Sequence, residues 1–206
     1  TQAISPIDGR YRKYTEPLVK FFSEEAFIKY RVWMECEYLI ALTQTPGVGL
    51  EKLSKEEEQE IRDMATKFSS DDARMIKAIE VEGHGNILAT NHDFKAIEYW
   101  MKLKITETPL ARFSEWIHFG LTSEDSTNIA YALMLRDSLK HVMVPSLESI
   151  VEVLELLIKD HADTPMLSRT HGQPASPTTF GKEMAVFASR LQHQIDHVKT
   201  IKLQAK

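Results

Sequence analysis

The amino-acid sequence predicts an all-α protein, and three observations support this fold class. Apolar residues recur at helical spacing along nearly all of the 206-residue chain. No stretch shows the apolar–polar alternation of a strand. The last helical patterns are longer than the usual mean of about 11–12 residues, which is typical of helix bundles. We therefore predict an N-terminal helical domain over residues 1–110 and the first long helices of a central helical bundle over residues 111–206.

The helices of the first domain are predicted from their caps and apolar positions. Ser23 is a suitable N-cap for a helix that ends at the TPGVG loop of residues 45–49. Ser54 and Glu57 have the spacing of a capping box, which predicts that a second helix begins there. A third helix is predicted over residues 70–81.

Glycines interrupt the pattern before the next helical segments begin. Thr90 and Asp93 have capping-box spacing, so a helix is predicted to begin near Asn91. Thr108 and the following proline interrupt the chain again, which places the domain boundary near residue 110. A short helix is predicted around residues 113–119.

The second domain is predicted to contain two long helices joined by a polar loop. The first covers about residues 124–159 and should kink or break at Pro145, which lacks a backbone N–H. The polar loop covers residues 168–177, and the second long helix begins near Thr178. Its helical pattern persists to Lys206, which we interpret as a chain cut within a helix.

Composition narrows the range of functions. The net charge of −5 and the pI near 5.9 argue against a nucleic-acid or anionic-membrane surface. The single cysteine, Cys36, excludes a disulfide framework and is predicted to be a small core residue. No apolar run reaches the roughly 18 residues of a membrane span, and no signal-peptide pattern is present. These features predict a cytosolic globular protein.

Four short stretches combine polar side chains with a turn or a helix start: DGRY at 8–11, TNHD at 90–93, LTSED at 121–125 and SRTHGQ at 168–173. Capping alone explains the second and third. A helix N-terminus also provides free N–H groups and a positive dipole end, so the same two stretches are candidate anion sites.

The fourth stretch contains the strongest candidate for chemistry. His171 is either a loop histidine bonded to backbone or an acid–base group, since its unperturbed pKa of about 6.5 allows proton exchange near neutrality. Arg169 beside it suits bidentate binding of a carboxylate. His193 and His197 have metal-ligand spacing, but Gln194 replaces the glutamate of the metalloprotease pattern, so two solvated histidines are the favoured interpretation.

The segments SPIDGRY, TNHDFKAIEYW, EWIHFGLTSEDSTNIAYALML and PMLSRTHGQPASPTTFGKEMA occur in this order. Together they resemble the N-terminal half of the adenylosuccinate lyase family, within the fumarase/aspartase superfamily of β-eliminating lyases. The resemblance extends from about Ser5 to the last helix. It implies a cytoplasmic homotetramer whose active sites are shared between subunits, without a metal ion or cofactor.

The same resemblance implies a reaction and a set of site residues. The reaction is release of fumarate from adenylosuccinate, giving AMP, and from succinyl-aminoimidazole carboxamide ribotide, in purine nucleotide biosynthesis. His171 matches the family's catalytic acid, which protonates the departing nitrogen. The substrate-binding residues of the family match Arg10, Tyr11, Asn91, His92, Asp93, Thr122 and Ser123.

One family feature does not occur in the 206 residues. The family's catalytic base is a serine on a downstream loop with an MPxKxNP-type signature, and this sequence contains no such segment. The chain is therefore expected to be an N-terminal fragment that is inactive alone. Two alternatives remain open: a related lyase of the argininosuccinate type, and an inactive helical module that only assembles with partners.

Overall fold

The computed structural model describes residues 3–205, and it confirms the all-α class with the exception of one hairpin. Its α-helices are α1 (Arg12–Thr15), α2 (Val19–Phe22), α3 (Glu24–Gln44), α4 (Lys55–Thr66), α5 (Ser70–Val81), α6 (Asp93–Ile105), α7 (Ser123–Ser138), α8 (Val144–Asp160) and α9 (Phe180–Thr200). Short 3₁₀ segments cover Glu16–Leu18 and Pro109–Trp116, and a π-helical segment covers Leu139–Met143. The two antiparallel strands are β1 (Pro165–Thr170) and β2 (Gln173–Thr179).

The described chain forms two compact units, which divide inside α7 between Leu135 and Arg136. The first unit contains the residues up to Leu135, and the second covers Arg136–Leu203. The predicted boundary between an N-terminal helical domain over residues 1–110 and a bundle domain over residues 111–206 stays a prediction.

The first unit has its core around α3. Cys36 on this helix is fully buried, as predicted, and burial raises the pKa of its thiol. The other large side chains that pack there come from α3, α4, α5, α6 and the 3₁₀ segment that follows: Leu39, Ile61, Ile76, Ile79, Phe94, Ile97, Trp100, Met101, Leu110 and Phe113.

The caps of α3 and α4 and the bounds of α5 confirm the sequence predictions. The Ser23 hydroxyl accepts a hydrogen bond from the backbone N–H of Ala26 at 3.1 Å. Ser54 and Glu57 form the complete capping box. The helix predicted over residues 70–81 is α5, which has the same bounds.

The helix predicted around residues 113–119 lies earlier and is not an α-helix. A 3₁₀ helix covers Pro109–Trp116 instead. Thr108 caps it by accepting from the backbone N–H of Leu110 at 3.1 Å, and Pro109 at its first position has no N–H that needs a partner.

The second unit is built from α8 and α9 with the β-hairpin between them. Its core contains the buried residues Val144, Val151 and Ile195. The break predicted at Pro145 is confirmed as the π-helical segment Leu139–Met143, in which the backbone N–H of Val144 bonds the carbonyl of Leu139. Pro145 lacks the N–H that an uninterrupted α-helix would need at this point.

The end of α9 and the strands correct two expectations. The helix was predicted to persist to Lys206, which lies outside the described residues, but α9 already ends at Thr200, where Ile201 takes extended backbone. The segment predicted as a polar loop at 168–177 belongs to a β-hairpin. No helix within residues 3–205 is long and apolar enough to cross a membrane.

Candidate active site

The TNHD stretch is anchored to the end of α5 through its backbone. The N–H of Thr90 bonds the carbonyl of Ile79 at 3.2 Å, and the N–H of Asn91 bonds the carbonyl of Glu80 at 2.9 Å. Asn91 has a φ of +48°, a left-handed conformation that asparagine tolerates better than most residues. The turn therefore enters α6 in a fixed direction.

His92, rather than Thr90, is the N-cap of α6. Its Nδ1 accepts the backbone N–H of Lys95 at 3.2 Å, so Nδ1 carries the lone pair and the exposed Nε2 carries the ring proton. The capping box predicted from Thr90 and Asp93 is wrong because the Asp93 carboxylate bonds elsewhere. The helix begins at Asp93, two residues later than predicted.

Asp93 forms an ion pair with Arg31 of α3. The Nη1 of Arg31 donates to Oδ2 of Asp93 at 2.6 Å, while Oδ1 accepts the backbone N–H of Phe94 at 2.7 Å. Partial burial alone would raise the pKa of Asp93. The hydrogen bond and charge of Arg31 outweigh it and, with the Phe94 N–H, hold this pKa below its ordinary value. Arg31 also donates from Nη2 to the hydroxyl of Thr127 on α7, at 3.0 Å.

A second buried charge, Glu35, holds the segment that leads into α7. One carboxylate oxygen accepts the Ser126 hydroxyl at 2.7 Å and lies 2.9 Å from Nδ1 of His118. The other accepts the backbone N–H of His118 at 3.1 Å. His118 has a φ of +61°, and its two contacts with the Glu35 carboxylate stabilise this uncommon conformation.

The two predicted hydroxyl donors at the start of α7 differ in their surroundings. The Thr122 hydroxyl donates to the carboxylate of Asp125 at 2.8 Å, and the Thr122 backbone N–H bonds the same oxygen at 2.9 Å. The Ser123 hydroxyl has no partner among the described residues. Ser123 is therefore the freer of the two to bind a ligand at this helix N-terminus.

Arg10 and Tyr11 lie in a turn ahead of α1, and both are exposed. The Arg10 guanidinium lies 5.5 Å from the centre of the Tyr11 ring, and the backbone N–H of Tyr11 bonds the carbonyl of Pro6 at 2.8 Å. Within the described residues, no hydrogen bond or ion pair joins this turn to the starts of α6 and α7.

His171 occupies the tip of the hairpin in the second unit. Thr170 pairs with Gln173 across a two-residue turn, in which His171 and Gly172 have φ values of +48° and +77°. Positive φ at both central residues defines a type I′ turn. The His171 ring is exposed and has no hydrogen-bond partner in the described part of the chain, so both ring nitrogens are available.

Close backbone packing attaches the base of the hairpin to the end of α8. The N–H of Gly181 bonds the carbonyl of His161 at 2.9 Å, and the N–H of Phe180 bonds that of Thr164 at 3.0 Å. A Cβ on Gly181 would lie 2.7 Å from the carbonyl oxygen of Ile158. Only glycine fits this approach without a shift of backbone.

The first unit thus brings together two of the four stretches, since Arg31 and Glu35 hold the starts of α6 and α7 from α3. Neither these two residues nor their partners His118, Ser126 and Thr127 were predicted from the sequence. Their signal was weak: Arg31 and Glu35 lie one turn apart, beside the apolar positions Tyr30 and Met34. No group of three or more His, Cys, Asp or Glu side chains within residues 3–205 could hold a metal ion.

A family comparison identifies the class of protein to which this helical fold belongs. A family model described as lyase matches residues 9–206, so the chain belongs to the lyase family.

Among curated proteins, the chain is 45% identical over 202 residues to an adenylosuccinate lyase of Dictyostelium discoideum, with 96% of this chain and 42% of the relative covered. It is 40% identical over 206 residues to that of Vibrio cholerae (99% and 44% covered) and 37% identical over 211 residues to that of Escherichia coli K12 (99% and 44%). These relatives confirm the resemblance noted from the motifs. The chain spans less than half the length of each.

Solved structures show the same fold. A fumarate lyase from Mesorhizobium sp. BNC1 matches with a TM-score of 0.68 and 24% identity, covering 89% of this chain and 39% of that one. The β-carboxy-cis,cis-muconate cycloisomerase of Acinetobacter calcoaceticus matches with a TM-score of 0.64 and 24% identity, covering 91% and 40%. At this identity the likeness concerns the fold alone.

Proposed function

We propose that this chain is part of an adenylosuccinate lyase that releases fumarate from adenylosuccinate, giving AMP, and from succinyl-aminoimidazole carboxamide ribotide. The observation that carries the proposal is the exposed His171 at the tip of a two-residue turn, with both ring nitrogens free of partners among the described residues. The curated relatives named adenylosuccinate lyase support this substrate over argininosuccinate.

His171 acts as the general acid in this proposal. A base removes a proton from the succinyl carbon next to the one that bears nitrogen. The resulting electron pair forms the double bond of fumarate as the C–N bond breaks. The His171 imidazolium gives its proton to the departing nitrogen, a step worth about 10²–10⁴ in rate. The base is not assigned to any residue of this chain.

The helix starts bind the anionic parts of the substrate. Ser123 lies at the N-terminus of α7, where the helix dipole favours a carboxylate, and Thr122 beside it can bind the substrate by exchanging its hydrogen bond with Asp125. His92 presents its Nε2–H beside Asn91 at the start of α6, which suits hydrogen bonding to the nucleotide. Arg10 supplies a cation for the phosphate, with Tyr11 packed beside it.

Asp93 supports the start of α6 through its carboxylate, which accepts hydrogen bonds from Arg31 and from the Phe94 N–H.

The complete enzyme is a cytoplasmic homotetramer whose active sites combine residues of several subunits, and it uses no metal ion or cofactor.

Incubation of the complete gene product with each candidate substrate tests the proposal. We expect adenylosuccinate to yield fumarate and AMP in equal amounts by chromatography, with no fumarate from argininosuccinate. The variant His171→Ala should lower kcat by about 10²–10⁴. His193→Ala is a matched control, since that histidine is exposed on α9, and it should leave kcat unchanged. Fumarate release from argininosuccinate alone, or an unimpaired His171→Ala enzyme, contradicts the proposal.

A further inference from the structure

Helix α3 carries two buried side chains of opposite charge, one turn apart. Arg31 is 6% exposed and Glu35 is 1% exposed. Burial of a charge is costly unless hydrogen bonds and an opposite charge compensate it. Replacement of buried charges by well-packed apolar residues is often neutral or stabilising. Stability alone therefore does not explain why two charged residues occupy these positions.

The partners of Arg31 belong to the two helices that begin with motif residues. Its guanidinium donates to Asp93 at 2.6 Å and to Thr127 at 3.0 Å. It also lies 3.7 Å from the centre of the Phe27 ring, and Phe27 stacks on Tyr131 of α7 at 4.6 Å. Arg31 therefore fixes the first residue of α6 against one face of α7.

The partners of Glu35 fix the approach to α7. The carboxylate binds both the backbone N–H and the ring Nδ1 of His118, at 3.1 and 2.9 Å. It also accepts the hydroxyl of Ser126, three residues after Ser123, at 2.7 Å. These contacts hold both ends of the segment from His118 to Ser126, which contains Ser123. Removal of the carboxylate would therefore free that segment to shift.

We propose that Arg31 and Glu35 are positioning residues that set the spacing between the starts of α6 and α7, and thereby the geometry of substrate binding. The inference rests on the proposed lyase function. Neither residue touches substrate. Arg31 acts through Asp93 next to His92, and Glu35 acts through His118 and Ser126 on either side of Ser123.

Glu98 offers a matched control within the same unit. It is 6% exposed, and its carboxylate pairs with Lys95 at 2.8 Å and Lys102 at 3.1 Å. Glu98→Gln and Glu35→Gln are the same isosteric change at a buried carboxylate. Only Glu35 contacts the segment that leads to Ser123.

The test compares the two variants in the complete gene product. We expect Glu35→Gln to raise KM for adenylosuccinate by about tenfold or more with kcat within about threefold, because binding contacts rather than proton transfer are displaced. Glu98→Gln should lower the melting temperature and leave KM unchanged. Equal KM values in the two variants overturn the inference.

Hydrogen exchange supplies a readout that does not depend on activity. Amides of residues 117–126 should exchange about tenfold faster in Glu35→Gln than in Glu98→Gln, because the carboxylate that holds this segment is gone. Unchanged exchange overturns the inference. An inactive wild-type enzyme would instead refute the proposed lyase function, whereas an active one with unchanged KM in Glu35→Gln refutes only the positioning role.

A conservative substitution at Arg31 tests the positioning role proposed for that residue. Arg31→Lys keeps the charge but replaces the planar guanidinium, whose two nitrogens bind Asp93 and Thr127, with a compact ammonium group that lacks this fork. We expect a KM between those of wild type and Arg31→Met, and a KM equal to that of Arg31→Met contradicts the assigned role of the charge.

Discussion

The region that begins α6 and α7 and the hairpin that carries His171 are supported in different ways. Buried charges on α3 hold the helix starts, with Arg31 and Glu35 each making at least two hydrogen bonds to them. The tip of the hairpin has no such support among the described residues, and backbone conformation alone sets the direction of His171. The comparison teaches that side chains of α3 fix the proposed binding groups, whereas a turn fixes the proposed acid.

The largest effect on the hairpin should come from its base. In Gly181→Ala the new Cβ would meet backbone atoms of Ile158 in α8 and of His161 and Ala162 just after it, at 2.7–2.8 Å, and such overpacking costs about 1–3 kcal/mol. Urea unfolding should show this loss, together with a lower kcat. Lys182→Ala at the adjacent exposed position is the control. A Gly181→Ala protein as stable as that control would show that the hairpin base tolerates separation from α8.

A substitution in the turn should lower stability by less than the substitution at the hairpin base. Gly172 has a φ of +77° with open space around its Cα, so Gly172→Val is strained by its backbone, at a cost of about 1–2 kcal/mol. We expect kcat to fall because His171 is misdirected, with little change in KM. Gly172→Asn, which tolerates the left-handed region, should restore most of kcat. Equal kcat values for the two variants would contradict control by the turn.

The smallest effect concerns the pH dependence of the first unit. Partial burial would raise the pKa of Glu98, but hydrogen bonds from Lys95 and Lys102 outweigh it and hold this pKa below the ordinary value of 4.5. A carboxyl with a lowered folded-state pKa contributes stability above its unfolded pKa and loses it as the pH falls through the folded value. Glu98→Gln should therefore cost roughly 1 kcal/mol near neutral pH.

The difference in unfolding free energy between wild type and Glu98→Gln should shrink as the pH falls below 4.5. Denaturant unfolding at a series of pH values measures it. A difference that stays constant down to about pH 3 would show that the ion pairs of Glu98 contribute no proton-linked stability.

Local signals in the sequence predicted much of the helical framework. The capping box at Ser54 and the bounds of α5 were found because both depend on residues three or four positions apart. The His92 cap was missed because the carboxylate that would complete the predicted box pairs with Arg31, which lies 62 positions away. Long-range pairing of this kind leaves no local pattern.

The hairpin was missed for a different reason. Pro174 and Pro177 lie in β2, and proline normally argues against a strand. The sequence does contain a turn signal, Gly172, because glycine readily adopts the positive φ that such a turn requires. The roles of Arg31 and Glu35 could not be predicted because charged residues on a helix are usually solvated.

The most direct test of this account is single-turnover kinetics of His171→Ala and Ser123→Ala over a range of adenylosuccinate concentrations, in the complete gene product. We predict opposite patterns: His171→Ala lowers the maximal rate by about 10²–10⁴ with substrate affinity kept, and Ser123→Ala weakens affinity with the maximal rate kept. The account assigns substrate binding to the helix starts and proton donation to the hairpin. If both variants lose affinity and rate in the same proportion, this assignment is wrong.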